Sequence, residues 1–387
     1  MPELPEVERA RKLIHDAFVG QTICAVTTFA DDIVFSECTN VDFEGLDGRT
    51  LVDTGRRGKI FYLLLDKGPH PVLHLGMTGS VRIKGEAGLE YKDFSTAGDE
   101  WPPKYAKFVL TFAPSGRELA FTDSRRLARI RLVDGDPLMQ RPINELGFDP
   151  SVNMPDLDAF AASLITRKCP IKALLLDQKF SAGVGNWVAD EVLYQAKIHP
   201  GTYAAALTDE EVAALHRELH NVIATAVAVN AESAKFPKGW LFHQRWGKGR
   251  TATRAGTMPD GSAIVFVTVG GRTSAVVPSC QILHGVKGAD AKWKNKEIPP
   301  AAKKEAAASR KRKAGKVKKD PNDVDDDEDD GSDGDTKEEL VPPKDEPGCK
   351  KRVKRETVKA EVESVKAEEE LASTTMRRSA RVRARGA

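Results

Sequence analysis

The composition of the chain changes near residue 285, and this change limits how much of the chain can fold. Beyond Trp293 there are no aromatic residues, and lysine, alanine, proline and acidic runs dominate. Such a segment cannot bury enough apolar surface to offset the conformational entropy lost on folding. We therefore predict a disordered, charged tail over residues 285–387. The 387-residue chain is 40% hydrophobic, which leaves the part before the tail enough apolar material for two or three domains.

The predicted tail contains charged clusters that a formal net charge of +2 conceals. Residues 309–319 and 377–385 are rich in lysine and arginine, whereas residues 325–330 are acidic. Clustered basic residues attract nucleic-acid phosphates and are typical of nuclear import signals. We expect the protein to be located in the nucleus. The alternative is a tail that only improves solubility.

The sequence gives no sign of a membrane or secreted protein. No stretch approaches 18 uninterrupted apolar residues, and the N-terminus lacks a hydrophobic signal region. The five cysteines are scattered and odd in number, which favours free thiols in a reducing compartment. They are Cys24, Cys38, Cys169, Cys280 and Cys349.

Apolar spacing predicts a helix followed by strands in the first part of the chain. Residues 5–18 carry apolar side chains at helical spacing, and Gly20 can end that helix. Over residues 22–133, short apolar runs separated by glycine, proline and aspartate turns indicate strands. We predict a β-sandwich flanked by the first helix over residues 1–135, followed by an interdomain hinge over residues 136–150.

The next part of the chain has a helical pattern, and residues 151–235 are assigned to a helical domain. Within it, the tight turn Gly183-Val184-Gly185-Asn186 leads into a helix. A helix start preceded by glycines exposes amide hydrogens that suit a phosphate. The alternative is an ordinary connection between two helices.

A β-hairpin is predicted near the end of the folded part. Two apolar runs within residues 263–277 flank Gly270-Gly271, and a Gly-Gly pair between such runs is typical of a two-residue hairpin turn. Residues 236–284 are therefore assigned to a hairpin region.

The chain begins Met1-Pro2-Glu3, and this start offers a nucleophile. Removal of Met1 would leave Pro2 with a free secondary amine, and an α-amine has a pKa of roughly 7.7–8.0, so a useful fraction is unprotonated near neutrality. Unprotonated amines attack carbonyl-like carbon, and the adjacent Glu3 can give or accept a proton. The alternative is a proline-rich helix entry without chemistry.

Five sequence blocks occur in the order found in a known family of repair enzymes. They are the N-terminal Met1-Pro2-Glu3-Leu4-Pro5-Glu6, Arg56-Arg57-Gly58-Lys59, His74-Leu75-Gly76-Met77-Thr78-Gly79, Thr122-Asp123-Ser124-Arg125-Arg126, and Leu174 to Lys179 leading to Gly183-Val184-Gly185-Asn186. Together the chain resembles the formamidopyrimidine-DNA glycosylases from residue 1 to about residue 283. The related endonuclease VIII branch typically has glycine where Leu4 stands, so the formamidopyrimidine branch fits better.

The resemblance implies an α+β fold with a β-sandwich, a helix–two-turns–helix domain and a hairpin finger. It also implies a bifunctional DNA glycosylase and AP lyase of base-excision repair whose catalytic residues are Pro2, Glu3 and Lys59. Pro2 would form an iminium with the sugar, Glu3 would shuttle protons, and Lys59 would assist base loss before β,δ-elimination. No cofactor or metal is expected.

The implied partner is double-stranded DNA that contains oxidised bases or abasic sites, bound by a monomer. The matching DNA-binding residues are Met77, Arg125, Leu127, Lys172, Asn186 and Arg272. The first three would fill the space vacated by the flipped nucleotide, and the last two would bind phosphates. The alternative for Met77 and Leu127 is an ordinary place in the core.

In most bacterial relatives the finger holds zinc through four cysteines. The matching positions here are Ala252, Ala255, Val277 and Cys280. A structural zinc site needs four nitrogen or sulfur ligands, so we predict a zincless finger. We expect apolar packing to replace the metal, through Val265, Val267, Val276 and Val277.

Lesion preference is predicted from the short connection over residues 231–250. Trp240-Leu241-Phe242 should pack against the domain, which leaves little chain to close over a flipped base. We expect efficient removal of formamidopyrimidines and hydantoins and poor removal of 8-oxoguanine. The alternatives are a noncatalytic damaged-DNA-binding protein and an endonuclease VIII-like glycosylase for oxidised pyrimidines.

Overall fold

The computed structural model of the chain describes residues 2–86, 88, 90–91, 94–95, 100–246 and 256–285. The predicted tail beyond residue 285 lies outside the described residues, as do Ala252 and Ala255. The described residues form the predicted α+β fold.

The first part of the chain is a β-sandwich flanked by helices. Its helices are α1 (Leu4–Phe18) and α2 (Asn40–Glu44). Its strands are β1 (Thr22–Thr28), β2 (Leu51–Arg57), β3 (Ile60–Leu65), β4 (His70–His74), β5 (Ser80–Ile83), β6 (Glu90–Tyr91), β7 (Phe94–Ser95), β8 (Ala106–Ala113), β9 (Arg117–Thr122) and β10 (Arg129–Val133).

Two antiparallel four-stranded sheets form the layers of the sandwich. One has the order β1-β8-β9-β5 and the other β10-β4-β3-β2. Side chains from both sheets, such as Phe121 in β9 and Leu63 in β3, belong to one buried apolar cluster. The alternation of inward and outward residues along each strand produces this shared core.

Helix α1 buries the apolar face that its spacing predicts. Val7, Ala10 and Ile14 are buried, together with Ala17 and Phe18. The helix packs against β2, β3 and the later helix α6 (Asp209–Ala228), so it contacts both halves of the described chain. This double contact fixes the position of the residues that precede it.

The second part of the chain is helical. Its helices are α3 (Leu157–Ile165), α4 (Ile171–Leu176), α5 (Asn186–Gln195) and α6. Their apolar residues form a separate core, and Leu4 from the start of α1 is also part of it. In the described segments, no helix is long and apolar enough to cross a membrane.

The predicted hairpin is present as β11 (Val265–Val269) and β12 (Arg272–Val276). Gly270 and Gly271 both have positive φ, at 58° and 72°, which a tight two-residue hairpin turn requires. Burial of Val277 beneath the hairpin is confirmed. Its described apolar cluster is Leu241, Met258, Ile264, Ala275 and Val277.

The predicted role of Val265 and Val267 in this packing is wrong. Both side chains are only half-buried and lie outside the apolar cluster under the hairpin. Because side chains alternate across a strand, Ile264 and Phe266 face the cluster instead. The register of the strand could not be read from a continuous apolar run.

Candidate active site

A pocket of about 680 Å³ lies where the start of α1, the β2–β3 turn, the start of α5 and the hairpin turn meet. Its lining includes Glu3, Lys59, Met77, Asn186 and Arg272. These five were predicted as site residues from blocks that are far apart in the sequence. The fold therefore brings both the predicted catalytic carboxylate and amine and the predicted phosphate-binding residues to one cavity.

Glu3 is held by the first turn of α5. Its carboxylate accepts hydrogen bonds from the backbone amides of Trp187 (2.9 Å) and Val188 (3.1 Å), and the residue is 2% exposed. A negative charge is stabilised at this end of a helix. A Cβ at Gly185 would lie 2.2 Å from the Glu3 Cδ, so glycine is required for this approach.

The N-terminal residues are further ordered by Glu6. The Glu3 backbone amide donates to Glu6 Oε2 at 3.0 Å, within a reciprocal capping box at the start of α1. Burial, and after it the charge of Glu3, raises the pKa of Glu6 to about 7. Pro2 is itself buried beside this pair. Sequence reasoning assigned Glu6 only to the helix start and missed its contact with Glu3.

Lys59 lies on the turn between β2 and β3. Burial lowers the pKa of its amine; the charges of Glu3 and Glu6 oppose this shift, and Arg272 adds to it. A depressed pKa raises the fraction of unprotonated amine, which is the form that acts as base or nucleophile.

The turn that carries Lys59 touches the glycine turn before α5. Gly58 and Gly183 both have positive φ, and a Cβ on Gly58 would lie 2.8 Å from the Gly183 nitrogen. This close backbone contact brings Lys59 to the same pocket as the residues of α5.

An ion pair between Arg56 and Asp149 stabilises the β2–β3 turn that carries Lys59. Arg56 Nη1 contacts Asp149 Oδ2 at 2.6 Å, and the Gly58 amide donates to the same oxygen at 2.7 Å. Burial acts to raise the pKa of Asp149, but Arg56 outweighs it and the net shift is downward. Asp149 lies at the end of the segment predicted as a hinge; motion of that segment remains a prediction.

His74 also lines the pocket, although sequence reasoning gave it no role. The Gly76 amide donates to His74 Nδ1 at 3.1 Å, so the proton of the neutral ring is on Nε2. Burial first, and then the charge of Lys59, lowers the pKa of His74 to about 4. The ring is therefore a neutral hydrogen-bond donor at physiological pH.

The predicted void-filling residues lie on two touching loops. Met77 is partly exposed, Arg125 is exposed, and Leu127 is 39% exposed. The alternative that Leu127 is a core residue is therefore wrong. A Cβ on Gly76 would lie 2.4 Å from the Leu127 carbonyl carbon, so the two loops meet through their backbones.

The two predicted phosphate-binding residues come from different elements. Asn186 is the first residue of α5, and its Oδ1 is buried without a hydrogen-bond partner in the described part of the chain. Arg272 is exposed at the start of β12 beside the hairpin turn. Both line the pocket, and neither pairs with an acidic side chain in the part of the chain that the structure describes.

Comparison with known proteins agrees with this arrangement. Residues 1–130 match the formamidopyrimidine-DNA glycosylase N-terminal domain, and residues 146–238 match the H2TH domain of the same family. A formamidopyrimidine-DNA glycosylase from Arabidopsis thaliana is 44% identical over 287 residues, which cover 74% of this chain and 72% of that protein. This chain belongs to the formamidopyrimidine-DNA glycosylase family. Its members are DNA glycosylases with AP lyase activity.

Bacterial relatives and solved structures support the same assignment. The glycosylase from Gluconobacter oxydans is 32% identical over 288 residues, covering 73% of this chain and 100% of that protein. The Lactococcus lactis enzyme bound to DNA containing an AP site superposes with a TM-score of 0.60 at 25% identity, covering 73% of this chain and 100% of that chain. A variant of that enzyme in complex with DNA containing Fapy-dG gives a TM-score of 0.59 at 26% identity, with the same coverage.

The position of Lys172 in this glycosylase corrects the prediction that it binds DNA directly. Lys172 is fully buried in α4 and pairs with Asp190. Its amine also donates to Ser274 Oγ at 2.7 Å and to the Thr273 carbonyl at 3.1 Å. A side chain with no exposed surface cannot contact a phosphate, so Lys172 instead anchors β12 to the helical domain.

Asp190 is the centre of this buried anchor. Besides Lys172, it accepts from Arg245 Nη2 at 2.7 Å and from the Ala275 amide at 3.2 Å. The guanidinium of Arg245 also donates to the Asn186 carbonyl at 3.4 Å. The hairpin of this family member is thus tied to α5 by a polar network and an apolar cluster. Val277 and the single thiol of Cys280 do not fit the ligand set of a structural zinc site.

Proposed function

We propose that this protein excises oxidised bases from double-stranded DNA and then cleaves the strand at the resulting abasic site. The observation that carries the proposal is the single pocket lined by Glu3, Lys59, Asn186 and Arg272, with Pro2 next to Glu3. Family membership supports the glycosylase and lyase classes, and the solved relatives were bound to DNA with an abasic site or a formamidopyrimidine.

The first step uses Pro2 as nucleophile after removal of Met1. The unprotonated amine attacks the C1′ carbon of the flipped nucleotide, and the bond from C1′ to the base breaks with its electron pair leaving on the base. Glu3 protonates the ring oxygen O4′ as the sugar opens, and loss of the amine proton gives a cationic iminium. Lys59 in its protonated form delivers a proton to the departing base, and the lowered pKa of its amine makes this ammonium a stronger acid.

The second step follows from the charge of the iminium. The cation acidifies the C2′ proton, whose removal expels the 3′ phosphate by β-elimination. A second elimination expels the 5′ phosphate, and hydrolysis of the iminium then frees Pro2. The carboxylate of Glu3, held by two amides of α5, is rigidly placed to transfer these protons.

DNA is held by groups that flank the chemistry. The Asn186 amide and the Arg272 guanidinium bind phosphates on either side of the lesion, since both are polar groups that line the pocket. His74 adds a neutral donor from its Nε2. These contacts position the strand but carry no base specificity.

We propose that formamidopyrimidines and hydantoins are the preferred lesions and 8-oxoguanine a poor one. Trp240, Leu241 and Phe242 are buried in the domain and do not line the pocket, whereas Arg245 and Trp246 of the same connection do. Because these three buried residues give a planar base no contacts, we expect discrimination between lesions to depend on the shape and instability of the lesion itself.

Borohydride trapping tests the chemistry. Reduction should link the processed protein covalently to DNA that carries an abasic site or a hydantoin. The matched control adds residues before Pro2, so that the same side chains remain but the amine becomes an amide. Undiminished lyase activity in that extended protein would refute the role of Pro2.

A further inference from the structure

Asp123 is a buried carboxylate at the end of β9 that accepts an unusually large number of hydrogen bonds. It is 1% exposed, and its Oδ2 accepts the backbone amides of Leu127 and Ala128, each at 2.7 Å. Its Oδ1 accepts the backbone amide of Arg125 at 3.1 Å and the hydroxyl of Thr78 at 2.6 Å. Four donors on one carboxylate fix its position and theirs.

These donors come from the two loops that carry the void-filling residues. Arg125 and Leu127 follow Asp123 in one loop, whereas Thr78 is next to Met77 in the other. The hydrogen bond from Thr78 is thus a side-chain bridge between the loops, alongside the close approach of Gly76 to Leu127.

The loop that carries Arg125 and Leu127 is also held by a second buried acid, Asp31. Arg126 adopts a left-handed backbone conformation, with φ of 56°, and its guanidinium pairs with Asp31 at 3.0 Å. Asp31 is buried and also binds Lys107 at 2.8 Å. Arg126 is therefore committed to the scaffold, while its neighbour Arg125 is exposed.

We propose that Asp123 is a positioning residue that joins the two loops into a single rigid wedge for duplex DNA. This inference rests on the proposed function. Inserting Met77, Arg125 and Leu127 together requires all three to be fixed in one geometry before DNA is bound. A carboxylate that binds both loops removes that ordering cost from the encounter with DNA.

The wedge matters only where a base stack must be opened. Single-stranded DNA has no opposite strand, so there is no vacated space in a duplex for the wedge to fill. The sugar of an abasic site can then reach Pro2 without eversion of a base. Loss of Asp123 should therefore reduce excision from duplex DNA and leave trapping on a single-stranded abasic oligonucleotide near the wild-type level.

Two variants and one control test this inference. Thr78→Val keeps the shape of the side chain and removes only the bridge, while Asp123→Asn removes the negative charge and replaces one of the two acceptor oxygens with an NH2 donor. Ser124→Ala is the control, because Ser124 is exposed on the same loop. Single-turnover excision of a hydantoin from duplex DNA should fall about tenfold in Thr78→Val and further in Asp123→Asn, as expected for lost hydrogen bonds to a charged group. Ser124→Ala should remain within about twofold of wild type.

A fluorescent base opposite the lesion reports the wedge directly. A 2-aminopurine in that place should brighten when the wild type binds and displaces the lesion, and should brighten less with both variants.

Equal excision rates on duplex DNA in wild type and Thr78→Val would overturn the inference, as would equal losses on duplex and single-stranded DNA in folded variants. If Asp123→Asn does not fold, Thr78→Val decides. A wild type that never traps DNA refutes the proposed chemistry instead, and the fluorescence change still tests the wedge.

Discussion

At the scale of single residues, the carboxylate of Glu3 occupies the anion site that the glycine turn before α5 was expected to offer a phosphate. Its two amide donors belong to the first turn of α5, so the predicted catalytic carboxylate of the β-sandwich is held by a helix of the helical domain. Asn186, the residue predicted to bind a phosphate, directly precedes these two donors. The first amides of α5 therefore bind the protein's own carboxylate.

We predict that Gly185→Ala disables the enzyme with a modest loss of stability. The added Cβ would lie 2.2 Å from the Glu3 Cδ, so the carboxylate must leave its amide donors. Overpacking of this kind costs about 1–3 kcal/mol in the free energy of unfolding, and a misplaced catalytic group costs about a hundredfold in rate. Gly239→Ala is the matched control, because nothing lies within 4 Å of its Cβ position. Trapping assays and thermal unfolding of both proteins measure these effects. A fully active Gly185→Ala protein would contradict the claim that the α5 amides must hold the Glu3 carboxylate.

A buried carboxyl in α5 should make stability depend on pH. Burial raises the pKa of Glu191 to about 7, against which the hydrogen bonds from Gln195 and the Phe242 amide act. A raised folded-state pKa stabilises the fold below the unfolded value of 4.5, and this stability is lost as pH rises to about 7. Glu191→Gln should match wild type at pH 4 and exceed it by about 1–3 kcal/mol at pH 8. Denaturant unfolding at both pH values measures this difference, and an equal slope with pH in the two proteins would contradict it.

At the scale of elements, the hairpin is attached by a charge network and an apolar cluster. Lys172, Asp190 and Arg245 connect α4, α5 and the chain after Phe242, and the Ala275 amide joins β12 to the same carboxylate. Leu241 and Ile264 close the apolar side. A metal is not needed to explain how this hairpin is held.

Two substitutions, one in α4 and one in the hairpin, should separate anchoring of the hairpin from DNA binding. Lys172→Met leaves the charge of Asp190 less compensated and should lower the free energy of unfolding by about 3 kcal/mol. Arg272→Ala removes an exposed side chain, so stability should change by less than about 0.5 kcal/mol while DNA affinity falls and its salt dependence decreases by about one counterion. Unfolding curves and binding titrations over a range of salt test the pair. A destabilised Arg272→Ala protein would show that the two roles are not distinct.

The chain between α6 and the hairpin determines the lesion prediction. Its described part is packed into the helical core through Trp240 and Phe242. We expect a single-turnover rate on a hydantoin duplex well above the rate on a matched 8-oxoguanine duplex, because Trp240 and Phe242 do not line the pocket and give a planar base no contacts. An 8-oxoguanine rate equal to or above the hydantoin rate would overturn the argument. Oxidised pyrimidines in the same duplex test the endonuclease VIII-like alternative.

At the scale of the whole molecule, local patterns predicted the elements and short motifs predicted most of the site. The spacing of Val7 and Ile14 identifies α1, and Gly270-Gly271 identifies the hairpin turn. The burial of Lys172 could not be predicted in this way. It depends on Asp190 and Ser274, which are 18 and 102 positions away in the chain. Contacts of that range are fixed by packing, which no local pattern encodes.

The same limit applies to the residues that hold the site in place. Asp149 meets Arg56 across 93 positions, and Asp123 meets Thr78 across 45. Asp123 was visible within a sequence block, but its role appears only when the second loop is beside it. A sequence motif can therefore include a buried acid such as Asp123, but it does not predict the donors that the acid binds.

We expect the residues up to 285 to carry catalysis and the residues after them to control cellular distribution. The pocket and both cores are built from residues before 286, whereas the basic clusters at 309–319 and 377–385 follow it. We propose that these clusters direct nuclear import and add nonspecific attraction to DNA. A protein truncated after residue 290 should excise hydantoins from short duplexes at the wild-type rate.

The truncated protein should also accumulate less in the nucleus and bind undamaged DNA more weakly at low salt. A full-length variant with Arg310, Lys311, Arg312 and Lys313 changed to glutamine is the matched control, since it keeps the length of the tail and removes one cluster of charge. Fluorescence microscopy of tagged proteins and binding titrations at two salt concentrations measure both effects. If the folded truncation loses excision, the catalytic unit extends beyond residue 290; if the glutamine variant still enters the nucleus fully, import does not depend on this cluster. A reduced salt slope in both proteins, with unchanged excision, is the result that assigns the tail to location and nonspecific binding.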